Sequence, residues 1–429
     1  MDVAAAISTA LRLWHPRRHK QQKNMIALRT SRSKRALTAC CAAHTLHDGL
    51  SDLTYVLLPL LAQTFGLSLA QVGMIRAAHR TAMAAFQIPA GMVAERFGER
   101  NLLAVGTFIA GAAFVGLAFI DVNHASAFWM ILVALFFAGL GSAVQHPLCS
   151  TIISNAYPEA GRRTALGTYN LFGDVGKFAF GGLLSLLLLG GLSWQGPVVL
   201  YGIVGMATAA AVLFWVAGNS AITATENHST NTTPLSGGWG IRNKRGFGAL
   251  CLIEIIDSST RTGFLTLIAF LMIDKGLSTG WAALSVPLIL VGGMAGKYAC
   301  GLLAERVGII RTIILTEVAT GAGILCAVAL PGMAAFLLLP LIGIALQGTS
   351  SVLYATIGDL VDQPRLPRAF GLFYTLGSIC GIAAPLAYGL AGDHIGIANA
   401  VIMMGIAILF VLPLCAVLKP TISAEPVKS

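Results

Sequence analysis

Residues 67–100, LSLAQVGMIRAAHRTAMAAFQIPAGMVAERFGER, return at residues 277–311 as LSTGWAALSVPLILVGGMAGKYACGLLAERVGIIR. The copies align without a gap from Leu67 and Leu277 to Gly98 and Gly308, an offset of 210 residues (277 − 67). A second match joins Ala165-Leu-Gly167 and Gly173 to Ala369-Phe-Gly371 and Gly377. Self-similarity at one long period means two related units in one chain. Each copy is a long apolar run that ends abruptly in Glu-Arg and a glycine, as a membrane helix does where it meets water.

The rest of the chain has the same character. Of 429 residues, 56% are hydrophobic and 11% charged, against roughly 25% charged in soluble domains. A bilayer span takes about 20 apolar residues, so the chain has room for about twelve. The 48 glycines fit close helix packing. The eight cysteines form no CxxC pair and no zinc spacing, so they read as reduced, buried small hydrophobes. Hydrophobic runs predict helices at 37–63, 70–94, 102–121, 127–153, 164–190, 197–218, 247–273, 281–304, 311–330, 334–357, 369–390 and 397–418. The expected fold is all-α and integral to the membrane, with twelve transmembrane helices in two six-helix repeats. The expected layout is a basic tail over 1–36, bundles over 37–218 and 247–418, a polar linker over 219–246 and a short tail over 419–429.

The net charge of +10 records topology. Arg12, Arg17, Arg18, Lys20, Lys23, Arg29, Arg32, Lys34 and Arg35 precede the first span. Arg96, Arg100, Arg162, Arg163, Arg242, Lys244, Arg245, Arg306, Arg311, Arg365, Arg368, Lys419 and Lys428 fall on the same side, and the opposite loops offer only Lys275. The positive-inside rule puts both termini and the linker in the cytoplasm. A nucleic-acid partner is not expected, and the Asn227 and Asn231 sequons carry no glycosylation signal on that side. The N-terminal stretch lacks a signal peptide's apolar core and cleavage site. A cytoplasmic tail is expected there, with a transit peptide as the alternative and Met25 as another possible start.

The loop after the second helix reads Gly91-x-x-x-Glu95-Arg96-x-Gly98-x-Arg100, and its echo reads Gly301-x-x-x-Glu305-Arg306-x-Gly308-x-x-Arg311. This resembles the signature of the major facilitator superfamily, with Glu where Asp is commoner. The resemblance runs from about residue 38 to 418. It implies that superfamily's fold and alternating access of a rocker type. Physically, Glu95 sits at the unfavourable end of its own helix dipole. It is expected to find nearby arginines and the N-terminus of helix 11, closing a gate in one state and releasing it in another. His44-x-x-x-Asp48, Leu58-Pro59, Leu67-Ser68, Gln71-x-Gly73, Gln87-x-Pro89-x-Gly91 and Gly139-x-Gly141-Ser142-Ala143 with His146-Pro147 resemble the fosmidomycin-resistance branch. That likeness implies proton-driven export. Gly173-Asp174-Val175-Gly176-Lys177 departs from the branch, which is expected to be uncharged there.

No nucleophile elbow, Walker loop or dinucleotide fingerprint is present, so an enzyme is not expected, nor a cofactor. The chemistry lies in polar groups at membrane depth, which are costly and face bundle interiors. Helix 1 carries His44, Asp48 and Asp52 at i, i+4 and i+8, with His47, Ser51 and Tyr55 beside them. Helix 2 carries Arg76, His79 and Arg80; helix 4, Gln145 and His146; helix 5, Asn170, Asp174 and Lys177; helix 7, Glu254, Asp257, Ser258 and Arg261. Through the 210-residue offset, His44 and His47 correspond to Glu254 and Asp257, and Gln87 to Lys297.

Asp48 with His44 is the expected proton-coupling group; Asp52 and Asp174 stand nearby, and Glu254 and Asp257 are second-half competitors. Arg76, His79, Arg80, Gln145, His146, Asn170, Lys177 and Arg261 are the expected solute contacts, with the arginine fork suited to carboxylate or phosphonate. Asp48, Asp52 and Asp174 could equally pair with Arg76, Arg80 and Lys177 as structural glue. A transition-metal site among the histidines is disfavoured by the arginines beside it, and no metal is expected. The reading is a monomeric secondary transporter in a bacterial inner membrane, a proton-coupled exporter of a small anionic or amphiphilic compound. The alternatives are an importer of a nutrient anion or metal complex and a sensor that does not transport.

Overall fold

The computed structural model describes residues 3–157, 159–216, 240–362 and 365–422, with side chains from residue 31 on, those of residues 95, 159, 160, 163 and 367 excepted. Fifteen α-helices account for nearly all of it. The first bundle is α1 (Val3–Phe65), α2 (Leu69–Phe97), α3 (Glu99–Ala118), α4 (Ala127–Ala143), α5 (Gln145–Ala156), α6 (Glu159–Leu189) and α7 (Gln195–Trp215). The second is α8 (Lys244–Asp274), α9 (Thr279–Ala283), α10 (Ser285–Val307), α11 (Ile309–Ala329), α12 (Gly332–Leu360), α13 (Leu366–Ile395), α14 (Ile397–Ala407) and α15 (Val411–Ile422). Among the described residues no strand forms, and Ile241 and Val361 make one isolated antiparallel bridge.

Fifteen helices make twelve spans because proline interrupts three of them. The prolyl ring clashes with the carbonyl four residues back and donates no N–H. Pro147 stands four residues after Ala143, where α4 ends; Pro287 stands four after Ala283, where α9 ends. Pro413 follows the 3-10 turn Ile408–Phe410 between α14 and α15. Helix 4, expected unbroken over 127–153, therefore kinks at Val144, and helix 8, expected over 281–304, begins as a separate turn. Ten spans are long and apolar enough to cross a bilayer on those grounds alone. The other two are the apolar parts of α1 and α2, the helices that carry Asp48, Asp52, Arg76 and Arg80.

The expected boundaries shift at the polar ends. The Asn243 side chain accepts from the Gly246 N–H at 3.0 Å, starting α8 at Lys244, within the stretch assigned to the linker. Residues 219–239 and the end of the C-terminal tail lie outside the described residues. The tail assigned to 1–36 continues into the first span as one helix from Val3. The motif glycines turn the chain between spans without a loop, since Gly98 and Gly308 take φ of +80° and +93°, where only glycine sits without strain.

The two halves meet along α2 and α13. Methyl groups added at Gly73 and Gly389 would strike the Pro385 and Leu69 backbones, so these helices touch at van der Waals distance. At that end Asp393, in the last turn of α13, reaches the start of α2. Its carboxylate oxygens accept from the Leu69 and Ala70 N–H groups, each at 2.8 Å. Ser68 and Gln71 complete the cap reciprocally, at 3.2 and 2.9 Å. An anion on the positive end of another half's helix is a favourable charge–dipole contact. Thr279 adds a second tie between halves, donating to Gln63 Oε1 at 2.9 Å. At the other end, where the Glu-Arg motifs lie, methyl groups at Gly91 and Gly371 would meet nothing within 4 Å. Among the described residues, these polar ties between the halves lie at the end opposite the motifs. The Glu95 side chain lies outside the described residues, and Glu305 and Arg306 are exposed.

Two outcomes test this packing. Gly176 stands against the Thr45 carbonyl of α1, so Gly176→Ala should cost about 1–3 kcal/mol through overpacking. Scanning fluorimetry should show a clearly lower melting temperature, while Gly371→Ala leaves it unchanged. Asp393→Ala removes two acceptors from the α2 N-terminus, a loss of about 1 kcal/mol. Amide exchange at Leu69 and Ala70 should rise severalfold; unchanged exchange would show that the cap does not hold the seam.

Candidate functional site

A cavity of about 240 Å³ opens between the halves, lined by α1, α2, α5 and α6 on one side and α8, α10 and α12 on the other. Its walls hold Asp48, Asp52, Arg76, Arg80, His146, Asp174, Lys177 and Arg261, all anticipated from the sequence, together with His47, Tyr55 and Lys297.

On the first-half wall, α6 comes close to α1 because Gly173 and Gly176 carry no side chain. A methyl at Gly173 would clash with the His44 ring and come within 2.8 Å of Asp48 Oδ2. The stretch that departs from the expected uncharged pattern is thus what lets Lys177 reach Asp48. Lys177 Nζ stands 3.1 Å from Asp48 Oδ2 and 3.0 Å from Asp174 Oδ1. Three imidazoles surround the same carboxylate: His44 Nε2 at 3.2 Å, His47 Nδ1 at 2.7 Å and His146 Nε2 at 3.6 Å. The His44 Nδ1 is held by the Tyr169 carbonyl at 2.8 Å. Asp48 is therefore a hub with four partners.

Lys297 crosses from the second half and sits 3.0 Å from both oxygens of Asp174. The sequence marked it only as the counterpart of Gln87, since nothing in one helix shows which opposite residue it will meet. Arg76 is 2% exposed, packs over the Tyr55 ring at 3.7 Å and donates to the Ser51 carbonyl at 3.1 Å and to the Thr54 hydroxyl. Its nearest acid is Asp52, at 4.0 Å. Arg80 has no acid within 4.0 Å among the described residues, and its guanidinium lies against Gly381 of α13 in the other half.

The second-half wall is thinner. Arg261 lines the cavity and pairs with Asp257 at 3.2 Å. Asp257 and Glu254 lie behind it at 1% and 0% exposure. Glu317 of α11, also 0% exposed, joins their electrostatic neighbourhood. Sequence reasoning passed over Glu317. The signal was there, as the one acid in the apolar run of α11.

The remaining anticipated contacts lie off the cavity wall. His79 is fully buried, and neither ring nitrogen has a partner among the described residues. Gln145 is 2% exposed and accepts from the Tyr169 hydroxyl at 3.2 Å. Asn170, one turn from Asp174 towards the motif end, is exposed.

His44, Asp48 and His146 offer ligand atoms within 4.8 Å of one another. The Lys177 ammonium already occupies the open side of Asp48 and opposes a second cation there.

Counted over the walls, five cationic side chains (Arg76, Arg80, Lys177, Arg261, Lys297) face three carboxylates (Asp48, Asp52, Asp174). Even with Arg261 assigned to Asp257, the cations remain in excess. Such a site can desolvate a small anion and supply its counter-charge.

Known proteins resemble this chain in sequence and in fold. The chain is 25% identical over 404 residues to the probable sulfoacetate transporter of Cupriavidus necator, covering 86% of this chain and 91% of that one. It is 24% identical to the fosmidomycin resistance protein of Escherichia coli K12, covering 84% and 87%. Its fold is similar to the crystal structure of a bacterial homologue of the human lysosomal transporter Spinster, with a TM-score of 0.75 at 16% identity, over 91% of this chain and 98% of that one. The family model described as Major Facilitator Superfamily matches residues 40–385. Twelve membrane helices in two repeats around one central charged cavity, with that match over most of its length, make this chain a member of the major facilitator superfamily.

Proposed function

We propose that the chain carries a small organic anion across a bacterial inner membrane, coupled to protons, as a monomer working by alternating access. The observation that carries the reading is the excess of cations over acids in the cavity between the two halves. An uncompensated guanidinium at that depth is expensive, and an anionic solute offsets the cost. The relative named for sulfoacetate agrees with a carboxylate or sulfonate solute. Arg80, without an acid of its own and lying against the opposite half, is the first contact we assign to the anion. Arg76, Lys177, Lys297 and Arg261 complete the cationic ring.

The motif end faces the cytoplasm in this reading, because the loop arginines gather there. The polar ties between the halves then lie on the outside, as in a state open to the cytoplasm. The Glu95 motif would engage helix 11 in the opposite state. The acids around the ring are Asp48, Asp52, Asp174 and Asp257, and an acid among them whose counter-ion the bound anion takes is the group through which protons couple. Loading an anion and a proton together favours uptake along the inward proton gradient. Export is the second reading, favoured by the likeness to the fosmidomycin resistance protein.

Proteoliposomes enclosing a pH-sensitive dye test this. Sulfoacetate and a small phosphonate should each be accumulated under an imposed proton gradient, with dye-reported proton movement. Arg80→Ala should lower transport by roughly tenfold to a hundredfold, the worth of a charge-assisted contact. Wild-type vesicles that match empty liposomes across the panel would favour a sensor that does not transport. Unchanged flux in Arg80→Ala would remove that residue from the solute site.

A further inference from the structure

Three buried carboxyls lie within one another's electrostatic reach behind the second-half wall, with Arg261 as the cation they share. Glu254 and Asp257 lie on α8 and Glu317 on α11, at 0%, 1% and 0% exposure. Arg261 Nη1, 3.2 Å from Asp257 Oδ2, is the single ion pair. Neither oxygen of Glu254 or Glu317 has a hydrogen-bond partner among the described residues, and the Thr320 hydroxyl, one turn beyond Glu317 and 1% exposed, is equally without one. Arg80 of α2 is a second cation in the field of Arg261, and the other titratable groups around the cluster are Cys251 of α8, Tyr354 of α12, Cys300 of α10, Cys380 of α13 and Cys415 of α15. The tyrosine and the cysteines are ordinarily neutral at physiological pH, and α14 presents no charged residue. Three carboxylates sharing one guanidinium cannot all stay charged in a dry interior, so the cluster is built to hold protons.

The two halves differ in how their acids are compensated. Asp48 has Lys177 and three imidazoles, and Asp174 has both Lys177 and Lys297. An anion that draws away one cation leaves either of them partnered. Asp52 has only Arg76, at 4.0 Å, but its side chain is 18% exposed on the cavity wall, where water can take the cation's place. Asp257 has Arg261 alone, and Arg261 is also the member of this cluster that lines the cavity. Glu254 and Glu317 bring no replacement cation.

We infer that Asp257 is the coupling carboxyl, and that the solute anion and Asp257 compete for Arg261. When the anion takes the guanidinium, the ion pair to Asp257 breaks and a new one forms to the solute. Arg261 keeps its charge throughout. The carboxylate left behind takes one proton from water, so anion and proton load as a neutral pair. The inference rests on the cavity being an anion site. It makes the carrier a symporter, in which each ligand raises the affinity for the other by the same factor. It also moves the coupling role from Asp48, the first choice on sequence, to the other half of the molecule.

The test is sulfoacetate binding to the purified full chain by calorimetry, with proton uptake read in weak buffer. Between about pH 8 and pH 6, wild-type affinity should rise roughly tenfold or more, within the range of site-to-site couplings. Binding should take up a proton. Asp257→Asn should bind tightly at all these pH values with no slope and no uptake, while Asp48→Asn keeps the wild-type slope. In vesicles, Asp257→Asn should exchange labelled sulfoacetate yet fail to accumulate it on a proton gradient.

A slope that persists in Asp257→Asn, or one lost in Asp48→Asn, overturns the assignment. So does wild-type binding with neither slope nor proton uptake, and that result leaves anion carriage standing. Wild-type protein that binds no sulfoacetate or phosphonate at any pH sinks the anion reading, and this inference with it. Should Asp257→Asn not fold, the wild-type slope and its fate in Asp48→Asn still decide the matter.

Discussion

The whole arrangement depends on the cost of placing charge at membrane depth. Lipid offers neither hydrogen bonds nor counter-ions, so each charged side chain in the spans must turn towards another charge or towards water. In this chain most of them turn towards one place, the seam between the two bundles, and three acids, Glu254, Asp257 and Glu317, are buried behind its second-half wall. Asp48, Asp52, Arg76, Arg80, Asp174, Lys177, Arg261 and Lys297 come from five different helices and converge on a cavity of about 240 Å³. The lipid-facing surface, with side chains such as Phe108, Trp129, Phe137, Leu186 and Leu337 exposed, carries none of them.

That convergence requires helices that approach closely and part again. Glycine supplies the approach: Gly173 and Gly176 bring α6 onto α1, and Gly73 and Gly389 bring α2 onto α13. The seam joins an apolar core that runs across both halves to reversible polar ties, a carboxylate on a helix N-terminus and a threonine on a glutamine. Charge–dipole and hydrogen-bond contacts of this kind are modest in energy. A carrier needs that, because both ends must open in turn at little cost. The site is unequal as well: the first half surrounds Asp48 and Asp174 with several partners, and the second leaves the buried Asp257 with one.

Much of this was legible in the amino-acid order. The gapless repeat from Leu67 to Gly98 and Leu277 to Gly308 carried the two-bundle architecture, and the loop arginines carried the topology proposed. Charges spaced i, i+4 and i+8 on α1 and clustered on α8 marked the faces that line the cavity. The prolines that break α4 from α5 and α9 from α10 were visible as residues, though the effect of each was not. A lone proline kinks one helix and passes through another unbroken, as Pro340 and Pro385 do here.

What the sequence by itself determined is a twelve-span, two-fold repeated membrane protein with its polar groups on inward faces. Hydrophobic length, internal repetition and helical periodicity are local properties, written within each segment. Pairing was decided only by the tertiary structure: Lys297 on Asp174, Asp393 on the start of α2, Glu317 behind Asp257, Arg80 across to α13. Such contacts join residues up to some 320 positions apart, and they depend on the rotation and depth of helices fixed by neighbours elsewhere in the chain. Which acid keeps several cations and which has only one is therefore a fact of the folded molecule, beyond the reach of any single helix's pattern.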